Sequence, residues 1–545
     1  MATKISYSDA QKEAIDCPGS MVITACPGSG KTTVMVEKIR REFTSLKPHQ
    51  GVIGISFTIK SSKELGDKCR KNGADIKASF FGTIDNFCLA EIVFPFLARL
   101  YGFTSQDLSC VQYSQLNESQ KANLPDLSQS DVNFNTSDYD LYESEFIEHY
   151  REGFILLEAV TVIACKILEK SDACKRYIRV RYRSVYIDEY QDTSEPQHAL
   201  FCILHSFGLR AVAVGDTQQS IFAFRGSDPR HLLALTLDVD NFAHHVIDIN
   251  HRSHPSIINY SKRLYSPHCQ LIPVAANDIK VYHRTFKGTQ EDVARGLSNW
   301  IERAVRTFKI EDLSEIAVLV RWNGSIDRLQ RHLALPARFY RDDSLSKVLS
   351  PLGRFFSTLL YFYFDKRKLV EQILNEFSML KTTPAKLKAL RKSIHGLRNI
   401  QLDDLPEAFI EIAKSFRFSM ENKTEIEALE KTISSPEELL HYEGVRSGEV
   451  QVMTLHKSKG LEFDFVVHLD LYDWVFPSRT YTGNFNEEVF SDWDQDLNLH
   501  FVGITRARKW CVLITSTQRI NSEGKTKQGT ASQFLNMPGI KGLYR

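Results

Sequence analysis

The chain has 545 residues, and 68 lysines and arginines against 67 aspartates and glutamates leave a net charge of +1. This length corresponds to several domains, and 43% hydrophobic with 25% charged residues is ordinary for a soluble globular protein. The near-neutral balance argues against a wholly basic coat that binds nucleic acid everywhere, but it allows a local basic groove.

Targeting signals and cysteine pairs are not evident in the sequence. The amino terminus, MATKISYSDAQKEAID, lacks the basic flank and apolar run of a signal peptide. No stretch offers ~18 uninterrupted apolar residues, so no membrane span is predicted. The ten cysteines form no C-x-x-C pair, which makes zinc and iron–sulfur sites weak interpretations. A disulfide framework is unexpected at this size, and we therefore expect a reducing, cytoplasmic location.

Short apolar runs rich in β-branched residues recur along the chain in two sets. The first set comprises Met21–Ala25, Val52–Phe57, Val185–Asp188, Ala211–Gly215 and Val246–Ile249. The second comprises Ile316–Val320, Val450–Thr454, Phe465–Leu469 and Cys511–Thr515. Helix-like segments lie between these runs, and such alternation is typical of parallel sheets covered on both faces. Two sets of runs predict two α/β domains.

Two long stretches interrupt the alternation and are interpreted as inserted helical subdomains. Residues 91–180 contain Ile147–Lys170, which the apolar spacing predicts as one helix, and the loop-like Ser128–Asp140. Residues 346–445 contain basic runs such as Lys386–Arg398. The predicted first α/β domain then spans 1–90 with 181–249, and the second spans 250–345 with 446–545. The residues after Ser516 are predicted to form a weakly structured tail.

A glycine-rich loop follows the first predicted strand and precedes a predicted helix. It approximates the phosphate-binding pattern G-x-x-x-x-G-K-[ST], except that Ala25 replaces the first glycine. Gly28 and Gly30 allow a tight turn whose N–H groups face phosphate, and the helix N-terminus adds its positive dipole end. The alternative is a chance glycine turn. The predicted nucleotide-binding residues are Ala25, Cys26, Pro27, Gly28, Ser29, Gly30, Lys31, Thr32 and Thr33.

Phosphoryl transfer also needs a metal ligand and a group that orients water. Lys31 is placed to contact the β- and γ-phosphates, and the Thr32 hydroxyl to bind Mg²⁺. Asp188 and Glu189 follow a predicted strand; Asp188 would hold Mg²⁺ through its water shell, and Glu189 would align the attacking water. The acidic pair alone could equally be a solvated turn. Together with the phosphate loop, it predicts a site for ATP and Mg²⁺.

Eight segments in consistent order resemble the motifs of superfamily 1 helicases of the UvrD, Rep and PcrA type. The segment Asp188–Asp192 resembles the D-E-x-Q-D motif. The other segments are Asp9–Gln11, Ser56–Lys60, Phe81–Asp85, Val214–Gly226, Asn250–Ser253, Thr454–Phe463 and Val502–Ala507. The resemblance covers nearly the whole chain. It implies two RecA-like P-loop NTPase domains with two mostly helical insertions.

The resemblance implies further roles in the nucleotide site. Arg252 and Arg506 would neutralise the γ-phosphate from the second α/β domain, and Arg225 would do so from the first. Gln219 would lie beside the attacking water and link it to the DNA-facing segment. The residues implied to contact the base and sugar are Gln11 at the adenine edge, His251 against the adenine ring and Glu462 at the sugar.

A single-stranded DNA track is implied by aromatic and polar motif positions. Phe57, Phe222 and Phe224 would stack on bases, whereas Thr83 and His456 would contact phosphate or base. Core packing is the alternative for each phenylalanine. The segment Arg321–Asn323 could extend the track.

The sequence also departs from the family pattern. His251 replaces a tyrosine and Phe224 a tryptophan. Asp85 replaces a histidine, which puts one phosphate contact in doubt. The segment Asp496–Leu499 replaces an arginine pair, and residues 346–445 are short and contain no glycine loop for binding duplex DNA.

Three functions are consistent with these features. The first is an ATP-dependent DNA translocase or helicase acting on single-stranded or tailed duplex DNA, with the 3′→5′ polarity that the resemblance implies. The second is a DNA-stimulated ATPase that senses DNA for a partner nuclease, as compact members of the family do in antiphage defence. The third is a nucleotide-dependent binding module without turnover, against which the complete set of hydrolytic residues argues. No nuclease motif is visible, and no membrane partner is expected.

Overall fold

The computed structural model describes residues 6–104, 108–127, 134–341, 343–348, 350–366, 368–377, 383–416, 418, 423–484, 487–521 and 523–545. Strands β1 to β8 are Met21–Ala25, Gly51–Ile55, Phe80–Gly82, Ser109–Val111, Phe154–Leu156, Tyr182–Ile187, Arg210–Gly215 and Ala243–Ile247. Strands β9 to β16 are Val281–Phe286, Ile316–Val320, Ala337–Phe339, Val450–Thr454, Phe463–His468, Ala507–Ser516, Gln518–Ile520 and Thr526–Gln528.

Helices separate the strands throughout. Helices α1 to α11 are Asp9–Asp16, Lys31–Phe43, Ile59–Arg70, Ile84–Phe87, Phe94–Tyr101, Glu118–Lys121, Tyr139–Glu152, Val160–Lys170, Asp172–Arg181, Glu195–Ser206 and Arg230–Leu237. Helices α12 to α21 are Pro255–Tyr265, Gln290–Phe308, Asn323–His332, Pro351–Phe364, Val370–Phe377, Pro384–Gly396, Leu405–Ser415, Thr424–Ser434, Pro436–Leu439 and Trp493–Thr505.

Two six-stranded sheets organise the molecule. The first has the order β3-β2-β6-β7-β1-β8 and the second β11-β12-β10-β13-β14-β9. All neighbours in both sheets are parallel. Central strands such as β2 and β10 are buried along their whole length, as expected where helices cover both faces. The predicted α/β class with two RecA-like sheets is confirmed.

The predicted strands agree with the observed ones most closely at three strands that are not at a sheet edge. The runs Met21–Ala25, Ile316–Val320 and Val450–Thr454 match β1, β10 and β12 to the residue. Among the strands of the two large sheets, the apolar runs do not predict β3, β9 and β11. Each lies at a sheet edge and is partly exposed, so its apolar pattern is weak.

The two predicted insertions contain mainly helices. In the first, the prediction of one helix over Ile147–Lys170 is wrong. Helix α7 ends at Glu152 and Gly153 has a φ of 94°, after which β5 and a 3-10 turn precede α8. Glycine adopts this left-handed conformation at little cost and so ends the helix. Part of the predicted loop, residues 128–133, lies outside the described residues, and Tyr139 onward is helical.

The second insertion has its own hydrophobic core. Helices α15 to α19 bury side chains such as Phe356, Phe362 and Phe409 in that core. The predicted basic segment Lys386–Arg398 lies largely within α17. None of the helices within the described ranges is long and apolar enough to cross a membrane.

The prediction of a weakly structured tail after Ser516 is wrong. Strands β15 and β16 form an antiparallel pair. Beyond them, Phe534, Leu535 and Ile540 are buried in the core of the second sheet domain. The backbone N–H of Arg545 donates to Val281 O at the edge strand β9. The apolar residues of this segment are too sparse for a helix or strand pattern, yet they supply core packing.

Candidate nucleotide and DNA site

The site lies at the carboxyl ends of three adjacent strands of the first sheet. The phosphate loop follows β1, the acidic pair follows β6, and a 3-10 turn at Thr217–Gln219 follows β7, which lies between them. Parallel sheets bind ligands at this edge because the connecting loops and helix N-termini meet there. Segments far apart in the chain are thereby brought together.

The phosphate loop leads directly into α2. Gly28 and Gly30 have φ values of 71° and 82°, so both require the left-handed conformation that glycine favours. The Ser29 hydroxyl donates to Cys26 O at 2.8 Å and holds the turn closed. Burial raises the pKa of Cys26 to about 11, so its thiol stays protonated. Backbone N–H groups in such a turn at a helix N-terminus suit phosphate oxygens.

Lys31 begins α2 with its ammonium group buried. Its Nζ has no hydrogen-bond partner within the described part of the chain, and Glu189 Oε1 lies 3.9 Å away. A buried cation without hydrogen bonds is costly on its own. This arrangement fits the binding of a phosphate oxygen at Lys31.

The acidic pair lies directly opposite the loop. The Thr32 hydroxyl donates to Asp188 Oδ2 at 3.1 Å, so the two predicted Mg²⁺ ligands are in contact. Glu189 has a φ of 57°, a conformation that is uncommon outside glycine and is often found at functional sites. The hydroxyl and carboxylate oxygens are donors that Mg²⁺ prefers, so the residues fit this ion.

The two carboxylates have opposite pKa shifts. Burial, with the charge of Glu189 added, raises the pKa of Asp188. Burial also opposes ionisation of Glu189, but Lys31 and Lys459 outweigh it and hold the pKa of Glu189 well below its ordinary value. Glu189 is therefore ionised at neutral pH, as a group that accepts a proton from water must be.

The segment that follows β8 and leads to the second sheet contacts the phosphate loop directly. The His251 N–H donates to Gly28 O at 3.0 Å. A Cβ atom at Gly28 would lie 2.5 Å from Asn250 Oδ1 and 2.6 Å from Arg252 Cβ. Arg252 Nε lies 2.6 Å from Glu462 Oε2, so two predicted nucleotide contacts are paired with each other beside the loop. The His251 side chain is exposed.

Arg506 crosses between the two domains. Its side chain is buried, and Nη2 donates to Gln219 Oε1 at 3.1 Å, while Gln219 Nε2 donates to Asp216 Oδ2 at 2.7 Å. Burial and the neighbouring Arg252 lower the pKa of Arg506 to about 10, so it remains charged at neutral pH. Arg506 and Gln219, predicted from separate motifs, form one hydrogen-bonded unit.

The predicted DNA-contacting aromatic residues form a cluster. The rings of Phe57 and Phe222 are stacked with centroids 4.9 Å apart, and Phe222 lies 6.0 Å from Phe224. His456 from the second domain meets Phe224 edge-on at 5.7 Å. Phe222 is 9% exposed and Phe224 is 59% exposed. Phe224 therefore has a ring surface available to a base, whereas Phe222 mainly supports it.

Comparison with known proteins agrees with this geometry. A model of the UvrD/REP helicase N-terminal domain matches residues 7–101 and 103–240. A model of the UvrD-like helicase C-terminal domain matches residues 344–518. Together the two matches span most of the chain. The chain belongs to the UvrD/Rep helicase family, whose members are ATP-dependent DNA helicases.

Several relatives are similar to this helicase over most of its length. Gabija protein GajB of Bacillus cereus is 23% identical over 94% of this chain and 96% of its own length. The ATP-dependent DNA helicase PcrA of Bacillus subtilis is 23% identical over 72% of this chain and 62% of its own length. The ATP-dependent DNA helicase Rep of Buchnera aphidicola is 21% identical over 97% of this chain and 96% of its own length.

Some predicted residues of this UvrD/Rep helicase have protein partners at the site. Gln11 Nε2 donates to Ser29 O at 2.8 Å, and Gln11 Oε1 accepts from Ser8 N at 2.8 Å. Gln11 thus stabilises the phosphate loop through Ser29. Its contact with adenine remains a prediction. Thr83 accepts from Asn86 N at 3.4 Å as the cap of α4. The side chain of Arg225 lies outside the described residues.

Asp85, which replaces a family histidine, lies beside α8. The Thr161 hydroxyl donates to Asp85 Oδ1 at 3.4 Å, and burial raises the pKa of the carboxyl group, although part of the residue is exposed. The phosphate contact that a histidine would make here therefore stays in doubt.

Gln191 lies within the segment Asp188–Asp192, and the sequence alone assigns it no role. Its Nε2 donates to Glu189 Oε2 at 2.6 Å, and its Oε1 accepts from Asp216 N at 2.9 Å. Gln191 is fully buried in the turn that follows β6 and orients the carboxylate of Glu189, while Asp216 after β7 holds its amide group. In the sequence, only its position two residues after Glu189 suggests a role. The contact between the two side chains is seen only in the folded structure.

The segment that replaces the family's arginine pair joins the two domains. Asn498 Nδ2 donates to Ser220 O at 2.8 Å, and the Tyr265 hydroxyl donates to Asn498 Oδ1 at 2.5 Å. An uncharged side chain therefore links α21 of the second domain to the segment after Gln219.

Proposed function

We propose that this UvrD/Rep helicase hydrolyses ATP on single-stranded DNA and uses the cycle to translocate, with 3′→5′ polarity. The single observation that carries the proposal is the contact of Lys459. Its Nζ donates to Gln219 O at 2.5 Å and lies 5.0 Å above the ring of Phe222. One side chain thus touches both the hydrolytic unit and the aromatic cluster.

The proposed chemistry assigns each residue one task. Lys31 and the N–H groups of the loop bind the phosphates, and Thr32 with Asp188 would hold Mg²⁺, which neutralises phosphate charge when bound. Glu189, ionised and held by Gln191, orients water and accepts its proton. The side chains proposed to neutralise phosphate charge are Arg225, Arg252 and Arg506. Those proposed to contact the base and sugar are Gln11, His251 and Glu462.

We further propose the division of the chain into motor domains. Residues 1–90 with 181–249 carry the phosphate loop, and residues 250–345 with 446–545 carry Arg252 and Arg506. Residues 91–180 and 346–445 are the insertions. Because Arg252 and Arg506 belong to a different domain from the phosphate loop, ATP binding favours closure of the two domains and hydrolysis favours their release.

A second candidate is a DNA-stimulated ATPase that unwinds little and activates a partner nuclease in antiphage defence. Two observations favour it: the second insertion is a small helical unit with a separate core, and the similarity to Gabija protein GajB extends over both chains almost completely. The ten cysteines are unpaired, which supports the proposed cytoplasmic location.

The test measures steady-state ATP hydrolysis with and without single-stranded DNA, together with strand displacement on 3′-tailed and 5′-tailed duplexes. Stimulation with displacement of the 3′-tailed duplex alone supports the translocating helicase. Stimulation of ATP hydrolysis by DNA without strand displacement supports the DNA-stimulated ATPase that activates a partner nuclease. An ATPase rate that DNA leaves unchanged overturns both proposals.

A further inference from the structure

Asn498 lies where α21 of the second sheet domain meets the segment after β7 that carries Gln219. Its Nδ2 donates to Ser220 O at 2.8 Å, and the Gln495 amide, one turn earlier on α21, lies further from the same oxygen, at 3.4 Å. The Tyr265 hydroxyl, at the end of α12, donates to Asn498 Oδ1 at 2.5 Å. The Asn498 amide is therefore held at its oxygen and binds the first domain through its nitrogen. Neither Asn498 nor Tyr265 has a task in the proposed chemistry.

Two consecutive carbonyl groups of this segment accept hydrogen bonds from the second sheet domain. Gln219 O accepts from Lys459 Nζ at 2.5 Å, and Ser220 O accepts from Asn498 Nδ2. Because both donors bind the main chain, they fix the backbone from which the Gln219 side chain projects. That side chain accepts from Arg506 Nη2 at 3.1 Å, so its position decides whether the hydrolytic unit forms.

Ser220 is fully buried and connects several parts of the site. Its hydroxyl donates to Gln191 O at 3.3 Å, and Gln191 Nε2 donates to Glu189 Oε2 at 2.6 Å. In the chain, Ser220 lies between Gln219 and Phe222 of the aromatic cluster. A shift of Ser220 would therefore move hydrolytic groups and the DNA-facing cluster together.

We propose that Asn498 is a positioning residue for ATP hydrolysis, which acts with Tyr265 through the backbone of Ser220. When the two sheet domains close, the Asn498 amide fixes the segment after β7 so that Gln219 meets Arg506. When the domains separate, this bond is lost and the Gln219 amide is no longer held, so hydrolysis is limited to the closed arrangement. This inference rests on the proposed hydrolysis of ATP with domain closure.

The experiment measures kcat and KM for ATP in the full chain, by phosphate release at saturating single-stranded DNA. Asn498→Leu removes the amide at nearly constant size, and kcat is expected to fall about 2- to 13-fold, the range for one hydrogen bond. KM for ATP and the affinity for single-stranded DNA should equal those of wild type, because Lys31 and Phe224 are unchanged. Tyr265→Phe keeps the ring that packs against Phe501 and should lower kcat less. It should add little to Asn498→Leu, because both variants remove one shared contact.

A Gln219→Ala background separates positioning from general support of the fold. Asn498→Leu should lower kcat in the wild-type background but not in the Gln219→Ala background, because its effect passes through Gln219. Asn299→Leu, an exposed position on α13, is the matched control and should behave as wild type. If Asn498→Leu does not fold, Tyr265→Phe takes its place in the same comparison.

The outcomes distinguish this inference from the proposed function. An equal loss of kcat in both backgrounds overturns the inference, as does a wild-type kcat in Asn498→Leu, while the proposed function stands. Wild type whose rate of ATP hydrolysis does not respond to DNA overturns the proposed function and the inference with it.

Discussion

Lys459 and Asp192 form a buried ion pair between the two sheet domains, with 2.5 Å between Nζ and Oδ2. Lys459 follows the 3-10 turn after β12, and Asp192 ends the 3-10 turn after β6. The Asp192 side chain is 0% exposed and that of Lys459 is 9% exposed. The pair thus joins the two domains beside the hydrolytic residues. Because both side chains are buried, water cannot solvate one of them if the other is removed.

The first prediction concerns this pair. Lys459→Met leaves the Asp192 carboxylate buried without its counter-ion, which typically costs about 3–5 kcal/mol. We expect a lower midpoint of thermal unfolding, measured by calorimetry, and loss of the stimulation of ATP hydrolysis by DNA. The double variant Lys459→Met with Asp192→Asn should recover part of the stability. Lys12→Ala is the control, because its exposed pair with Asp9 contributes little; an equal drop in both variants would contradict the argument.

The second prediction concerns the phosphate loop. Lys31→Ala is expected to abolish ATP hydrolysis with and without DNA, because it removes the buried ammonium group that lies at the loop beside Glu189. The measurement is phosphate release under saturating ATP. Normal ATP turnover in this variant would contradict the assignment of the loop as the phosphate-binding site.

The third prediction separates binding from chemistry. Glu189→Gln keeps the shape of the side chain but removes its ability to accept a proton, so turnover should fall by about 10²- to 10⁴-fold. Binding of a fluorescent ATP analogue should persist, since Lys31 and the loop are intact. Loss of nucleotide binding would show instead that Glu189 is structural. Glu37→Gln on the outer face of α2 is the matched control.

The fourth prediction concerns Arg506. Arg506→Lys retains a charge but loses the planar group that reaches Gln219 and Leu461 O at once. We expect kcat to fall about 10³- to 10⁵-fold, the range for loss of an arginine that stabilises transferred phosphate, with a small change in ATP affinity. The idea fails if KM rises sharply while kcat is unchanged.

The fifth prediction concerns the exposed ring of the aromatic cluster. Phe224→Ala should weaken single-strand binding by ~1–3 kcal/mol, the value of one base stack, and raise the DNA concentration needed for half-maximal stimulation. ATP hydrolysis without DNA should be unchanged. Unaltered stimulation would make Phe224 a packing residue. Phe103→Ala is the control, since Phe103 is an aromatic residue of the first insertion that is 97% exposed.

The sequence by itself determined the local chemistry. A phosphate-binding turn is built from consecutive residues, so the spacing of Gly28, Gly30 and Lys31 already predicts it. Central strands such as β10 are buried on both faces and therefore show as uninterrupted apolar runs. The order of the motifs was enough to identify the family and the two-sheet architecture, since each motif is a contiguous segment.

Only the tertiary structure decided which of these residues work together. Lys459 and Asp192 are 267 residues apart, and Arg506 and Gln219 are 287 apart, so no local pattern reports their contact. The burial of Phe534 in the tail likewise depends on how strands pair and helices pack. Local periodicity reflects which side of an element is apolar, whereas the partner of each side chain is set by long-range register and docking.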